Sequence, residues 1–166
     1  MSSTRRALLL AGAAIALPAA SARAAERPDV EVLEELLAHE QRLAAAYEAA
    51  LRRRAIAPAL GETLLAHERE HVRGLEQTLS RGGAREPRAG VPSPELTAAL
   101  GDLRRFARFA LELETGAIAA YVRALPELRD AGLRQPLGSI MACGGTHQVA
   151  LRDALGEPPL RTRTEP

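Results

Sequence analysis

The stretch that decides the fold is LLAHEREHVRGL, residues 64–75. Leu64, Glu68, His71 and Leu75 are separated by four, three and four residues, so a helix would place all of them on one face. A glutamate and a histidine therefore interrupt an apolar stripe, at positions where an amphipathic helix normally carries core residues. This pattern predicts a helix whose buried face includes polar side chains.

Composition favours an all-α protein of one domain. The 166 residues are 46% hydrophobic but only 2% aromatic, and Ala and Leu, both strong helix formers, dominate. The 22 basic residues, all arginine, nearly balance 21 acidic residues. Because no basic stripe with interleaved aromatics is present, we expect no nucleic-acid partner. The single cysteine, Cys143, excludes an internal disulfide.

The first 24 residues have the pattern of an export signal. Arg5 and Arg6 precede a short apolar run that ends at Ala22-Arg23-Ala24, a small-x-small cleavage site. The run is too short and too rich in Ala for a membrane span, so no stable transmembrane anchor is expected after cleavage. A retained, uncleaved anchor is the alternative. The arginine pair resembles a twin-arginine signal, and an ordinary signal peptide with two adjacent arginines is the alternative. We therefore predict a signal peptide over residues 1–24 and a mature protein in the periplasm, cell envelope or medium.

Four helical segments follow the signal. The hydrophobic periodicity predicts helices at about 28–54, 58–79, 93–125 and 130–156, and a disordered tail at 157–166. Short connections make each pair of helices an antiparallel hairpin. Residues 80–94, rich in Gly and Pro, are long enough to cross the bundle lengthwise, which would make the second and third helices parallel. The segment 28–156 is thus predicted to be a four-helix bundle.

Five polar side chains fall mid-helix on predicted core stripes: Glu40, Glu68, His71, Glu114 and His147. Burying an ionised carboxylate without a partner is costly, and three carboxylates at one level would raise one another's pKa values. A bound cation would remove both problems. Carboxylate and imidazole ligands together suit iron, manganese or zinc.

The two halves of the chain repeat this pattern. Glu40 and Tyr47 are seven residues apart, as are Glu114 and Tyr121. Two interpretations of the tyrosines stay open: they are core residues whose hydroxyls need a partner, or they hydrogen-bond to ligand carboxylates. The nearby His39, His67, Glu70 and Glu112 fall beside the stripes and are predicted to lie on the surface.

This arrangement resembles the ferritin-like di-metal carboxylate proteins, and most closely their small exported bacterial members. Their pattern is one Glu from each of two helices and a Glu-x-x-His from each of the other two. The resemblance implies a ferritin-like four-helix bundle with a di-iron or di-manganese centre and redox chemistry toward dioxygen or peroxide. It assigns as metal ligands Glu40, Glu68, His71, Glu114 and His147.

The chain departs from that pattern at one position. The second Glu-x-x-His requires a glutamate three residues before His147, where the sequence has Gly144. Three outcomes stay open: one metal is lost, water or another ligand fills the gap, or the site no longer binds metal. Cys143 could face the site as a substitute ligand that favours softer metals, or it could be a small buried hydrophobe. His147 without its Glu could equally be a core histidine with a polar partner.

The sequence therefore predicts an exported metal-binding protein whose partners are metal ions, one or two per chain, with redox activity as a further expectation. The alternative is a non-catalytic bundle, a binding or envelope-structural module that has lost its metal site. An iron-storing cage subunit is a third interpretation. The sequence carries no signal for a particular oligomeric state.

Overall fold

The computed structural model describes residues 28–81 and 93–159, and every regular element within them is helical. The elements are α1 (Asp29–Arg53), α2 (Pro58–Arg81), α3 (Pro94–Ala99), α4 (Leu103–Glu127), a 3-10 turn (Ala131–Leu133) and α5 (Arg134–Leu155). The predicted all-α class is confirmed. The predicted signal peptide lies outside the described residues, as do positions 82–92 of the predicted loop and 160–166 of the predicted tail. No helix in the described part of the chain is long and apolar enough to cross a membrane.

The turn between α1 and α2 is closed by a left-handed residue and a closely packed glycine. Arg54 follows α1 with φ 57° and ψ 32°, and its N–H donates to carbonyls of the last turn, which is a common way to end a helix. In the first turn of α2, a Cβ on Gly61 would lie 2.6 Å from Ile56 Cγ2 and 2.8 Å from Leu51 Cδ2. Glycine therefore lets α2 approach this turn closely.

The third predicted helix is in fact two helices, so that prediction is wrong in one respect. The helix is interrupted between α3 and α4, at Gly101 and Asp102. Glycine is a poor helix former, and the Asp102 carboxylate accepts a hydrogen bond from the Arg105 N–H at 2.9 Å, which starts a new helix. Leu103, the first residue of α4, is 41% exposed.

The last helix begins slightly later than the sequence predicts. Asp130 accepts a hydrogen bond from the Gly132 N–H at 2.8 Å and starts a 3-10 turn, and α5 begins only at Arg134. The predicted end is confirmed, because Gly156 follows α5 with a φ of 69°. Glycine takes this left-handed conformation at little cost.

The long helices form two hairpins, α1 with α2 and α4 with α5. The carboxylate of Asp29, at the start of α1, accepts hydrogen bonds from the N–H groups of Arg129 and Asp130, just after α4, at 2.8 and 2.9 Å. Helix α1 is therefore antiparallel to α4 as well as to α2. It follows that α2 and α4 are parallel, as the length of the crossover predicts.

The core consists of two apolar clusters on either side of a polar layer. The first cluster contains Tyr47, Phe106 and Leu151, and the second contains Leu36, Leu75 and Tyr121. On each of the four long helices the polar layer lies between residues of the two clusters. Its fully buried polar members are Glu40, Glu68, Glu114 and His147.

Candidate metal centre

The polar layer brings together all five residues that the sequence singled out. Each long helix contributes: Glu40 from α1, Glu68 and His71 from α2, Glu114 from α4 and His147 from α5. Four of them are at most 2% exposed, and the His71 side chain is 12% exposed. Their nitrogen and oxygen atoms form two groups that share Glu68, one with Glu40 and His71 and the other with Glu114 and His147.

Glu68 links the two groups because each of its carboxylate oxygens faces a different imidazole. Its Oε2 lies 3.3 Å from His71 Nδ1, and its Oε1 lies 2.9 Å from His147 Nδ1. The outer carboxylates complete the arrangement. Glu40 Oε2 is 3.0 Å from His71 Nδ1, and Glu114 Oε1 is 3.1 Å from His147 Nδ1.

The two tyrosines hydrogen-bond to carboxylates across the bundle. Tyr47 on α1 donates to Glu114 Oε1 at 2.6 Å, and Tyr121 on α4 donates to Glu40 Oε1 at 2.9 Å. Both rings are at most 1% exposed and pack in the apolar clusters. Each tyrosine is therefore both a core residue and the donor that orients a carboxylate, so the two interpretations left open by the sequence are compatible.

Burial raises the pKa of both carboxylates of the first group, but their hydrogen-bond partners leave them with different values. Burial raises the pKa of Glu40 to about 7, and the adjacent Glu68 carboxylate adds to the increase. Burial alone would also raise the pKa of Glu68, but hydrogen bonds from His147 and His71 hold it at about 2. Glu68 is therefore the stronger acid of the pair, and Glu40 is the first of the two to take up a proton as the pH falls.

The imidazoles supply the compensating charge. Burial alone would lower their pKa values, but the carboxylates of Glu40 and Glu68 raise the pKa of His71 to about 10. Glu114 and Glu68 have the same effect on His147, whose pKa is also about 10. The buried layer is therefore stabilised by imidazolium–carboxylate pairs. A cation would have to displace those protons, so its binding is expected to weaken as the pH falls.

Gly144 lies directly against the centre. A Cβ at this position would lie 3.3 Å from Glu114 Oε2 and 3.3 Å from Ile118 Cγ1, closer than ordinary packing contacts. Beside Gly144 is a small cavity with room for about one water-sized group, lined by carboxylates of the centre and by Ile118, Ile140 and Met141. The glutamate expected from the ferritin-like pattern is thus replaced by a small space next to Glu114.

His67 and Cys143 lie on the outer side of His147, away from the carboxylates. His147 Nε2 is 3.0 Å from His67 Nδ1 and 3.4 Å from Cys143 Sγ. The residue His67 is exposed, as the sequence predicts, yet its ring lies edge to edge with that of His147, with the two planes 8° apart. Sequence reasoning placed His67 on the surface and overlooked this contact. The available signal was spacing, because His67 precedes His71 by four residues, as Cys143 precedes His147.

The remaining neighbours lie outside the centre. Glu70 and Glu112 are exposed, and Glu70 pairs with Arg73 at 2.6 Å. His39 is half-buried rather than exposed, and its Nδ1 lies 3.0 Å from a guanidinium nitrogen of Arg42. The choice of Glu40 over His39 and of Glu114 over Glu112 as buried residues agrees with the structure.

Comparison with known families is consistent with this geometry. The profile of the ferritin-like domain matches residues 28–157, which includes all four long helices. The chain therefore belongs to the ferritin-like domain family. No curated protein matches it closely enough to suggest a more specific relative.

Proposed function

We propose that this protein binds two transition-metal ions in the polar layer, with iron or manganese as the preferred metals. The observation that carries the proposal is the position of Glu68, whose two oxygens face two separate carboxylate–imidazole groups. One carboxylate shared between two such groups is an arrangement suited to a dinuclear centre. The donor set of oxygen and imidazole nitrogen fits these metals.

Glu40, Glu68 and His71 would hold one ion, and Glu68, Glu114 and His147 the other. Tyr47 and Tyr121 would keep the outer carboxylates oriented, and the two apolar clusters would exclude bulk water. Bound iron would supply electron exchange with a small oxidant such as dioxygen or peroxide. The cavity beside Gly144 is where a water or a small oxidant has room next to Glu114.

The first test is the metal content of the protein purified without chelator or affinity tag. We expect about two iron or manganese ions per chain at saturation. Glu68→Gln should abolish most uptake because it removes the shared charge, whereas Glu70→Gln, an exposed glutamate on the same helix, should leave uptake unchanged. One ion per chain would mean that the absence of a glutamate at position 144 has removed one of the two metal positions. Equal metal content in the two variants would contradict the assignment.

A second candidate is a bundle that has kept its fold without metal. The observation in its favour is that the carboxylates and imidazoles already pair with one another and with the tyrosines. This candidate predicts no bound metal and a thermal stability that neither chelator nor added Fe(II), Mn(II) or Zn(II) changes. Either a metal-dependent shift in stability or stoichiometric metal would exclude it.

We also propose that the protein is exported. The support is the sequence of residues 1–24, with Arg5 and Arg6 before the apolar run. Replacing both arginines by lysine should block export by a twin-arginine route and spare export by the general route. Arg23→Lys, near the cleavage site, is the matched control. Retention of the unaltered protein in the cytoplasm would overturn the proposal.

A further inference from the structure

His67, Cys143 and His147 form a group of metal-binding atoms that is separate from the carboxylates. The three atoms are His67 Nδ1, Cys143 Sγ and His147 Nε2, and the distances between them are 3.0, 3.4 and 3.7 Å. Three ligands of one tetrahedral zinc ion, with Zn–N of about 2.05 Å and Zn–S of about 2.3 Å, would lie about 3.3 Å (N to N) and about 3.6 Å (N to S) apart. The observed spacing is therefore close to what one ion requires.

The ring of His147 is held so that it presents Nε2 to this group. Its Nδ1 lies 2.9 Å from Glu68 and 3.1 Å from Glu114, and the residue is only 2% exposed. A carboxylate on one imidazole nitrogen is the usual support for a metal on the other, because it fixes the ring and makes the free nitrogen a better ligand. Cys143 and His147 are one helical turn apart on α5, so their relative positions are fixed by the helix.

The donor types differ from those of the inner centre. One thiolate and two imidazoles favour thiolate-binding ions of the zinc and copper(I) class over iron and manganese. His67 is exposed and Cys143 partly so. A fourth position can therefore be filled by water or a solute.

We propose that His67, Cys143 and His147 form a second metal site for a thiolate-binding transition-metal ion such as Zn2+. The site lies at the surface edge of the bundle and uses the outer nitrogen of His147. It does not rest on the proposed inner centre, because Glu68 and Glu114 hold the Nδ1 side of the His147 ring without any metal and leave Nε2 as the outer ligand. With an inner ion also bound at Nδ1, His147 would bridge the two ions as an imidazolate.

Cobalt(II) titration of the full chain, kept reduced with a phosphine rather than a thiol, tests the site. A cysteine thiolate bound to Co2+ gives a charge-transfer absorption in the near ultraviolet that carboxylate and imidazole ligands do not give. We expect this band to reach the intensity of one thiolate-bound ion per chain and to disappear when Zn2+ is added. It should be absent in Cys143→Ser and strongly weakened in His67→Ala, while His67→Cys, which restores a soft ligand, should recover binding.

Two controls separate this site from the inner centre. His39→Ala removes a histidine outside the group and should leave the band unchanged. Glu40→Gln alters the inner centre without touching His67, Cys143 or His147, so it should keep the band even if it lowers iron content. Absence of the band in the unaltered protein would overturn the proposal, as would a band of unchanged intensity and affinity in His67→Ala with normal helical content.

Discussion

At the scale of single residues, Glu68 and Gly144 contribute to the centre in opposite ways. Glu68 supplies a carboxylate, whereas Gly144 has no side chain and leaves a space. Glu68 reaches imidazoles on two different helices. Gly144, which occupies the equivalent place in the second half of the sequence repeat, contributes only space beside Glu114. The two halves of the bundle therefore differ at this pair of equivalent positions, where one half has a carboxylate and the other has none.

Substitution of Gly144 tests whether this space belongs to the metal centre. Gly144→Ala should change the free energy of unfolding by less than about 1 kcal/mol, because the gain in helix propensity offsets tight contacts with Glu114 and Ile118. Gly144→Glu should lower the metal-free stability by a further 1–3 kcal/mol, roughly, since it buries another carboxylate beside Glu114. Added Fe(II) or Mn(II) should restore that loss in urea unfolding experiments.

The alanine variant is the steric control for the glutamate variant. If both were equally stable without metal, and neither responded to metal, then position 144 would not face the centre.

Much of the candidate centre could be predicted from the sequence, because a charged side chain on the buried face of a helix needs a compensating partner. The position of Glu68 follows from helical spacing, and those of Glu40 and Glu114 follow from helical spacing together with the seven-residue repeat to a tyrosine. Spacing places His67 one turn before His71, but it does not identify His147 as the partner of His67, because these two residues are 80 positions apart on different helices. Periodicity within a helix carries no information about which edges of distant helices meet.

At the scale of helices, the two left-handed residues that end α1 and α5 form a natural comparison. Gly156 takes φ 69° without steric cost, whereas Arg54 takes φ 57° with a Cβ present. Gly156→Ala should therefore lower the free energy of unfolding by about 1 kcal/mol. Arg54→Gly should raise it by about 0.5 kcal/mol, since the loss of a favourable charge at the helix end offsets part of the gain.

Chemical denaturation of the two variants would measure both effects. Arg54→Ala retains the left-handed strain and removes only the charge, so it should be slightly destabilising. A stabilised Arg54→Ala would show that the charge, rather than the backbone, determines the effect at this turn.

The helices themselves were largely predictable, and the errors have a common cause. The break before α4 and the late start of α5 both occur where an aspartate, Asp102 or Asp130, accepts a hydrogen bond from a nearby backbone N–H. Hydrophobic periodicity continues through such points because it records which face is buried, not whether the backbone is continuous. The local competition of an aspartate side chain for backbone donors therefore decides the boundary.

At the scale of the whole molecule, the centre joins all four long helices and both hairpins. A metal ion bound there would act as a crosslink and would stabilise only the folded chain. At a free metal concentration of 100 times the dissociation constant, the gain is about 2.7 kcal/mol, or roughly 10 °C in the melting temperature. Calorimetry with Fe(II) or Mn(II), followed by chelator, should show a rise and its reversal.

The same pair of variants identifies the source of that shift. Glu68→Gln should lose it and Glu70→Gln should keep it. A shift of equal size in both would indicate metal binding elsewhere on the molecule.

The bundle topology was predictable because loop lengths restrict how helices can be connected. The length of residues 80–94 indicated a lengthwise crossover, and the bond from Asp29 to the turn after α4 is consistent with the resulting parallel pair. Loop length does not indicate how the metal-binding atoms are divided between the two hairpins.

That division has a consequence for the order in which ions are acquired. The hairpin of α1 and α2 contains a complete group, Glu40, Glu68 and His71, whereas that of α4 and α5 supplies only Glu114 and His147 and shares Glu68. The first ion should therefore settle on the first hairpin, and the second should follow only at higher metal concentration. Where metal is scarce, the protein would carry a single ion and keep a vacant neighbouring position, so its loading would report how much metal its surroundings contain.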